Sequence, residues 1–104
     1  MNETLSKLQL YFSLSRYQFP PLRNLKTIDI SSCRLRRIDN EAFKNLGESV
    51  ESIILDNNQL TSLMPDVFVP LLSLKKVQLH DNPWKCDCQL KNFRDWLLAK
   101  KVKT

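Results

Sequence analysis

The chain has 104 residues, 42% of them hydrophobic, with a single glycine and a formal net charge of +5. This length suits one domain, and the composition argues against a disordered linker. The basic residues are densest at 34–37, 75–76 and 100–103 and form no recognisable nucleic-acid-binding motif. No apolar run approaches the roughly 18 residues of a membrane helix, and no signal peptide is visible. We expect no nucleic-acid partner, and membrane attachment only through a segment outside this sequence.

The N-terminal segment carries the weakest copy of an apolar pattern that recurs along the chain. Leu5, Leu8 and Leu10 have the spacing of a short strand, and Phe19 follows 9 residues later, four fewer than in the later copies. No cysteine-bearing segment precedes Leu5 to cover the first copy, although terminal repeats normally carry a polar covering. We therefore expect the native chain to begin earlier.

Three further copies of the pattern follow. The second runs through Leu25, Ile28, Ile30, Cys33, Leu35, Ile38, Phe43 and Leu46. The third runs through Val50, Ile53, Leu55, Asn58, Leu60, Leu63, Phe68 and Leu71, and the fourth begins with Leu74, Val77, Leu79 and Asn82. The starts at 5, 25, 50 and 74 fit the period of leucine-rich repeats. Residues 1–82 are therefore predicted to form an α/β leucine-rich-repeat solenoid with a short parallel sheet on its concave face.

Two sets of side chains have predicted structural roles within the repeats. Phe19, Phe43 and Phe68 recur at one phase and are expected to stack as an aromatic row. Asn58 and Asn82 stand where the strands end, where a buried amide can bond the backbone of neighbouring coils.

Cys33 occupies the position of these asparagines. Cysteine is an accepted substitute there, and no histidine or carboxylate is placed to activate the thiol. Cys33 is therefore predicted to be a buried structural thiol.

The fourth repeat is not completed as a repeat. Pro83 stops the strand, and residues 89–100 have helical periodicity. The apolar face of this helix comprises Leu90, Phe93, Trp96 and Leu97. We expect the helix to close the open end of the stack, with Trp84 and Trp96 covering the last coil. A helix on a membrane surface is the alternative, because lysines follow it at 100, 101 and 103.

The segment 82–88, NPWKCDC, followed by Leu90 and by Trp96, resembles the start of the cysteine-flanked C-terminal cap of extracellular leucine-rich-repeat proteins. The resemblance implies that residues 83–104 form a truncated cap. It also implies that Cys86 and Cys88 pair with two later cysteines that this sequence lacks, so both are expected to be unpaired thiols and the domain to be incomplete at both ends.

The segment FRDWL at 93–97, which leads to residues 101–104, further resembles kekkon-type receptors. In those receptors the repeats precede an immunoglobulin domain and a membrane span. The family implies a secreted or cell-surface module that binds a protein ligand on the concave strand face.

Carried onto this sequence, the concave face is lined by the strand residues between the leucines. These are Lys7, Gln9, Tyr11, Thr27, Asp29, Ser31, Ser52, Ile54, Asp56, Lys76, Gln78 and His80. Most are polar, as solvent-facing strand residues should be. Tyr11 and Ile54 are the candidate anchors, because exposed aromatic or apolar side chains on a rigid sheet are typical of binding sites.

Other functions have weaker sequence support. His80, Cys86 and Cys88 do not have the spacing of a zinc site, so no metal or cofactor is expected. One histidine, no Ser-His-Asp set and no glycine-rich phosphate loop indicate that the protein is not an enzyme.

Two alternatives remain open beside a protein ligand. A sulfated glycosaminoglycan or another polyanion could bind through Arg34, Arg36, Arg37, Lys75 and Lys76. An intracellular leucine-rich-repeat scaffold is the other alternative. The triplet Asn2-Glu3-Thr4 is a glycosylation sequon and gives weak support for secretion.

Overall fold

The fold is described from a computed structural model. Its secondary-structure elements are the strands β1 (Glu3–Ser6), β2 (Ser13–Leu14), β3 (Leu25–Asp29), β4 (Arg37–Ile38), β5 (Ser52–Ile54) and β6 (Lys76–Gln78), a 3₁₀ turn (Pro65–Val67) and the helix α1 (Cys88–Ala99). The structure describes the backbone of residues 3–6, 13–14, 18–46, 48–85 and 88–104, and the side chains of the same ranges except 3–6, 88 and 89.

The main sheet contains four parallel strands in the order β1-β3-β5-β6, so strands that follow one another along the sheet belong to successive repeats. Ile28 lies opposite Ile53, and Ile53 lies opposite Val77. A second, two-stranded parallel sheet pairs β2 with β4. Parallel strands need a long connection between them, and here each connection is the remainder of one repeat. The predicted parallel strands are confirmed.

The register of the first repeat differs from the prediction. Spacing alone aligned Leu5 with Leu25, but in the structure Leu5 lies opposite Ile28, with an irregularity between Glu3 and Thr4. In this register Phe19 follows Leu5 by 14 residues, close to the 15 residues by which the phenylalanine of the next repeat follows Ile28. The deficit of four residues therefore falls to one.

The apolar core lies behind the main sheet and contains the leucine, isoleucine and phenylalanine positions of the repeats. Ile28, Ile53 and Val77 are fully buried, so the inner faces of β3, β5 and β6 pack on this core. Each such side chain contributes about 1.5–3 kcal/mol through its burial. Since each is covered by its counterparts in adjacent repeats, the stability of one repeat depends on its neighbours.

A row of phenylalanine rings runs through the core. Phe19 and Phe43 have ring centroids 5.8 Å apart, and Phe43 and Phe68 have centroids 5.9 Å apart, with an interplanar angle of 13° in each pair. Phe93 of α1 adds a fourth ring, 5.5 Å from Phe68. The sequence interpretation assigned Phe93 to the helix face but not to this row. The signal was present, because Phe93 follows Phe68 by the same 25 residues that separate Phe43 from Phe68.

The helix α1 ends in a Schellman motif. The N–H of Lys101 donates to the carbonyl of Leu98 (3.1 Å), and the N–H of Val102 donates to the carbonyl of Leu97 (2.9 Å). Lys101 has a φ of 59°, the left-handed conformation that this motif requires. Leu97 and Val102 are both buried, which supplies the hydrophobic contact of the motif. This turn directs the chain back toward the main sheet.

The last residues pair with the outer edge of β6. Lys103 forms a parallel bridge with Lys76. Its N–H donates to the carbonyl of Lys75 (2.9 Å), and its carbonyl accepts from Val77 (2.8 Å). Residues 102–103 therefore cover part of the β6 edge, since the Schellman turn brings them alongside the strand and satisfies backbone groups that would otherwise be exposed.

Candidate functional site

The candidate site is the outward face of β3, β5 and β6, opposite the core. Cross-strand partners arrange its side chains in rows. The rows are Thr27, Ser52 and Lys76, then Asp29, Ile54 and Gln78, and after the strand ends Ser31, Asp56 and His80. Lys76 and His80 are exposed, and the other seven are half-buried. The structure therefore brings seven of the eight predicted ligand-binding residues onto one surface. Tyr11 lies outside the described residues, as do Lys7 and Gln9.

The Asp29 carboxylate is fixed by hydrogen bonds from a residue just beyond the end of its own strand. Its Oδ1 accepts hydrogen bonds from the backbone N–H of Ser31 (3.0 Å) and from the Ser31 hydroxyl (2.7 Å). A carboxylate that accepts a bond from the backbone two residues on forms an Asx turn. Asp29 therefore presents a negative charge at a fixed position beside Ile54.

Asp56 is the centre of a polar network at the β5–β6 side of the face. Its Oδ1 accepts the backbone N–H of His80 (2.8 Å). With its amide oriented to match its neighbours, Gln78 donates to Asp56 Oδ2 (3.0 Å) and accepts from the Lys76 ammonium (3.1 Å). Long side chains that are fixed in this way lose less conformational entropy when a ligand orders them.

Ile54 is the apolar member of the central row, between Asp29 on β3 and Gln78 on β6. Its side chain is half-buried and its backbone is fixed, because its carbonyl accepts from the N–H of Ile30 (2.9 Å). An apolar side chain surrounded by oriented polar groups has the character of a protein-interface anchor with a polar rim.

The turns that follow the strands are held by the two asparagines. Asn58 is buried, with 6% of its surface exposed, and its Oδ1 accepts from the backbone N–H groups of Cys33 and Leu35, both at 2.9 Å. Asn82 repeats the arrangement one repeat later, its Oδ1 accepting from Asn58 and Leu60, both at 3.2 Å. These amides therefore position the strand ends, and the polar face with them.

Cys33 differs from the prediction of a buried thiol, since it is half-buried at the edge of the core. Its Sγ donates to the carbonyl of Ser31 (3.4 Å), within its own turn. A thiol is shorter than the Asn58 amide, which reaches the preceding repeat at the carbonyl of Ile30 (2.9 Å). Its environment is structural, and the backbone N–H of Cys33 is bound by Asn58.

The residues of the predicted C-terminal cap are described in part. Trp84 and Trp96 are half-buried and pack against the core, and Trp84 Nε1 donates to the carbonyl of Leu79 (2.9 Å). The side chains of Cys86 and Cys88 and the sequon residue Asn2 lie outside the described residues. Within the described part of the chain, no group of three or more histidine, cysteine or acidic side chains could hold a metal ion.

The basic residues predicted to form one polyanion site are divided between two edges of the sheet. Arg34, Arg36 and Arg37 lie beyond the C-terminal end of β3, and the Arg36 Nε donates to Gln59 (2.9 Å). Lys75 and Lys76 lie at the N-terminal end of β6. The five side chains therefore do not form one patch.

Comparison with known proteins identifies the repeats. The family model described as Leucine rich repeat matches residues 23–83. The chain is 38% identical to mouse chondroadherin over 78 residues, which are 75% of this chain and 21% of chondroadherin. It is 42% identical to the human leucine-rich repeat-containing protein 70 over 59 residues, covering 57% of this chain and 10% of that protein.

A third relative is the rat platelet glycoprotein Ib beta chain, which is 42% identical over 53 residues, covering 51% of this chain and 25% of that protein. The chain thus spans a quarter or less of the length of these three relatives. Among the described residues, no helix combines the length and apolar character needed to cross a membrane.

Proposed function

This chain belongs to the leucine-rich-repeat family, and from this we propose that it is a protein–protein recognition module of a cell-surface or secreted protein. In this proposal the repeats form a solenoid, and the protein ligand binds the outward face of β3, β5 and β6, which is concave. Residues 83–104 are the first part of a cysteine-flanked cap that protects the last repeat. The proposed activity is binding, with no catalytic step.

The observation that carries this proposal is the position of Ile54 within a fixed polar surface. Asp29 and Asp56 are oriented by backbone N–H groups, at 3.0 Å and 2.8 Å. Parallel strands hold the surface rigid, so a ligand would meet preorganised groups rather than flexible ones. An enclosed small-molecule pocket is not needed for this kind of recognition, because an open sheet face with one apolar centre suits a protein surface.

The proposed location outside the cell is supported by two observations. One relative is named as a platelet glycoprotein, and Asn-linked glycans are carried by secreted or surface-exposed segments. The sequence also contains the Asn2-Glu3-Thr4 sequon. An intracellular scaffold is the competing proposal, and mass spectrometry of Asn2 after expression in a secreting eukaryotic cell would separate the two.

The proposed binding face can be tested with a matched pair of variants. The chain, multimerised to raise its avidity, is screened against an array of purified extracellular domains, and each hit is measured by surface plasmon resonance. We expect Ile54→Glu to weaken a specific hit about 30-fold, the effect of losing one interface anchor. Leu72→Glu, on a side chain that is 74% exposed and lies away from the strands, should bind as the unmodified chain does.

Loss of binding in the Leu72 variant with retention in the Ile54 variant would contradict the proposed face. Absence of any hit that depends on Ile54 would contradict it as well. Thermal melts of both variants are needed, because a change in stability would otherwise be confused with a change in binding.

A further inference from the structure

The net positive charge of this protein lies in the segments that enter β3, β5 and β6 and in the C-terminal segment beside β6. The segments 23–27, 48–52 and 72–76 enter β3, β5 and β6, and the segment 100–104 runs beside β6. Together they contain seven lysine or arginine residues and two glutamates. This excess of five positive charges equals the formal net charge of the whole chain, +5. In the rest of the sequence, basic and acidic residues balance.

One carboxylate is shared between two of these lysines. Glu51 Oε2 lies 3.6 Å from the Lys26 ammonium and 3.7 Å from the Lys75 ammonium. A single negative charge neutralises only one of its two partners, and the Lys75 side chain is 74% exposed. Glu48, three residues before Glu51, is exposed, and Glu3 lies on β1, at the far end of the sheet. The β6 edge therefore retains unneutralised positive charge.

The topology places two more lysines next to each other at that edge. Lys76 and Lys103 are cross-strand partners in a parallel bridge, so their backbones lie about 5 Å apart. Like charges directly opposite one another destabilise a sheet. The backbone hydrogen bonds of this pairing hold two like charges close together, and an external anion would relieve the repulsion between them.

We propose that Lys26, Lys75, Lys76 and Lys103, here called the strand-entry patch, bind a linear sulfated polyanion of the glycosaminoglycan type. The patch crosses the sheet from β3 to Lys103, three strand spacings or about 14 Å. Its cations form a line rather than a pocket, which suits a chain that carries charge along its length. The proposal is independent of the protein-binding face, although the two surfaces meet at Lys76.

The residue types around the patch favour a sulfated polysaccharide over a nucleic acid. Single-stranded nucleic acids are bound by basic grooves in which aromatic side chains stack on the bases. None of the four entry segments contains phenylalanine, tyrosine or tryptophan. These segments therefore offer charge rather than aromatic stacking, and charge is the feature that a sulfated chain offers in return.

The test compares two double variants that remove the same charge from opposite edges of the sheet. Binding of the full chain to a heparin-derived octasaccharide is measured by calorimetry in 0.1 M salt. Lys75→Gln with Lys103→Gln should weaken binding about tenfold, since two exposed ion pairs with the ligand are lost. Arg34→Gln with Arg37→Gln should change the affinity less than twofold and leave its salt dependence intact.

Equal losses in the two double variants would overturn the proposal, because net charge rather than the patch would then determine binding. Absence of binding by the unmodified chain in 0.1 M salt would also overturn it. So would tighter binding to phosphatidylserine vesicles or to a single-stranded oligonucleotide, each measured in parallel. If the lysine double variant fails to fold, the octasaccharide affinity of Lys75→Gln is compared with that of Arg37→Gln, and only the lysine variant should bind more weakly.

Discussion

The ring of Phe93 lies 5.5 Å from the ring of Phe68, tilted by 35°, so the helix α1 continues an aromatic row that begins in the repeats. The two preceding contacts in the row are more nearly parallel, at 13°. The helix thus supplies the ring that a further repeat would supply. Because both rings are fully buried or nearly so, helix and repeats share one core and should unfold together.

Removal of the Phe93 ring tests this connection. We expect Phe93→Ala to lower the free energy of unfolding by about 3–5 kcal/mol, through lost burial and the resulting cavity. Chemical denaturation followed by far-ultraviolet circular dichroism and by tryptophan fluorescence should show one coincident transition. Leu98→Ala, on the same helix but 66% exposed, should change stability by less than about 0.5 kcal/mol. Separate transitions for the two probes would show that helix and repeats are independent.

Asn58 is expected to be the most sensitive polar position. Its side chain makes five hydrogen bonds, accepting from Cys33 and Leu35 and donating to the carbonyls of Ile30, Leu55 and Asp56. Asn58→Ala leaves several buried backbone groups without a partner and should destabilise the protein by about 3 kcal/mol or more.

Urea denaturation measures this effect, and Asn40→Ala is the matched control, because Asn40 is an exposed turn residue. A loss below about 1 kcal/mol for Asn58→Ala would mean that water replaces the amide in these turns.

Lys101 offers a stabilising substitution. Its φ of 59° is costly for a residue with a Cβ atom but not for glycine. We expect Lys101→Gly to raise the free energy of unfolding by about 0.5–1 kcal/mol, because relief of the left-handed strain, about 1–3 kcal/mol, exceeds the extra backbone entropy that glycine loses on folding. Lys100→Gly, next to it at the helix end, should have the opposite effect. Differential scanning calorimetry of both variants distinguishes backbone strain from simple loss of a lysine charge.

The pairing of residue 103 with β6 predicts a local effect on hydrogen exchange. Lys103→Pro removes the N–H that donates to the carbonyl of Lys75 and disturbs the carbonyl that accepts from Val77. The Val77 amide should then exchange about tenfold faster or more, because its protection falls with the local opening free energy. Lys103→Ala retains the backbone bonds and should leave Val77 protected. Unchanged exchange in the proline variant would indicate that the core, not the terminal pairing, protects β6.

The later repeats could be predicted from the sequence because the same kind of apolar residue recurs at each core position of the strand. Ile28, Ile53 and Val77 align by apolar spacing alone, and the structure pairs them. The first repeat was misaligned because the spacing of its leucines fits two registers, and only the length of the connection to Phe19 separates them. Phe93 is predicted only as part of the helix face, because it lies in a segment with helical rather than repeat periodicity.

The surface was predictable as a set of residues but not as an arrangement. Alternation along β5 predicts that Ser52 and Ile54 face outward together. It does not predict that Gln78 bonds Asp56, which depends on the register and on rotamers. Nor could spacing reveal the bridge between Lys76 and Lys103, because the Schellman turn that brings residue 103 to β6 is set by a single left-handed residue.

The asparagine contacts give the stack of repeats a direction. In both turns the amide belongs to the later repeat and the N–H groups that it binds belong to the earlier one, as with Asn82 and Leu60. If the later repeat is detached, backbone N–H groups in the earlier repeat therefore lose the asparagine oxygen that accepted their hydrogen bonds. Detaching a repeat from the N-terminal side frees a side-chain amide instead, both its oxygen and the N–H that Asn58 donates to Ile30, and a side chain can turn toward water. Under mechanical tension the two ends of this protein should yield at different forces.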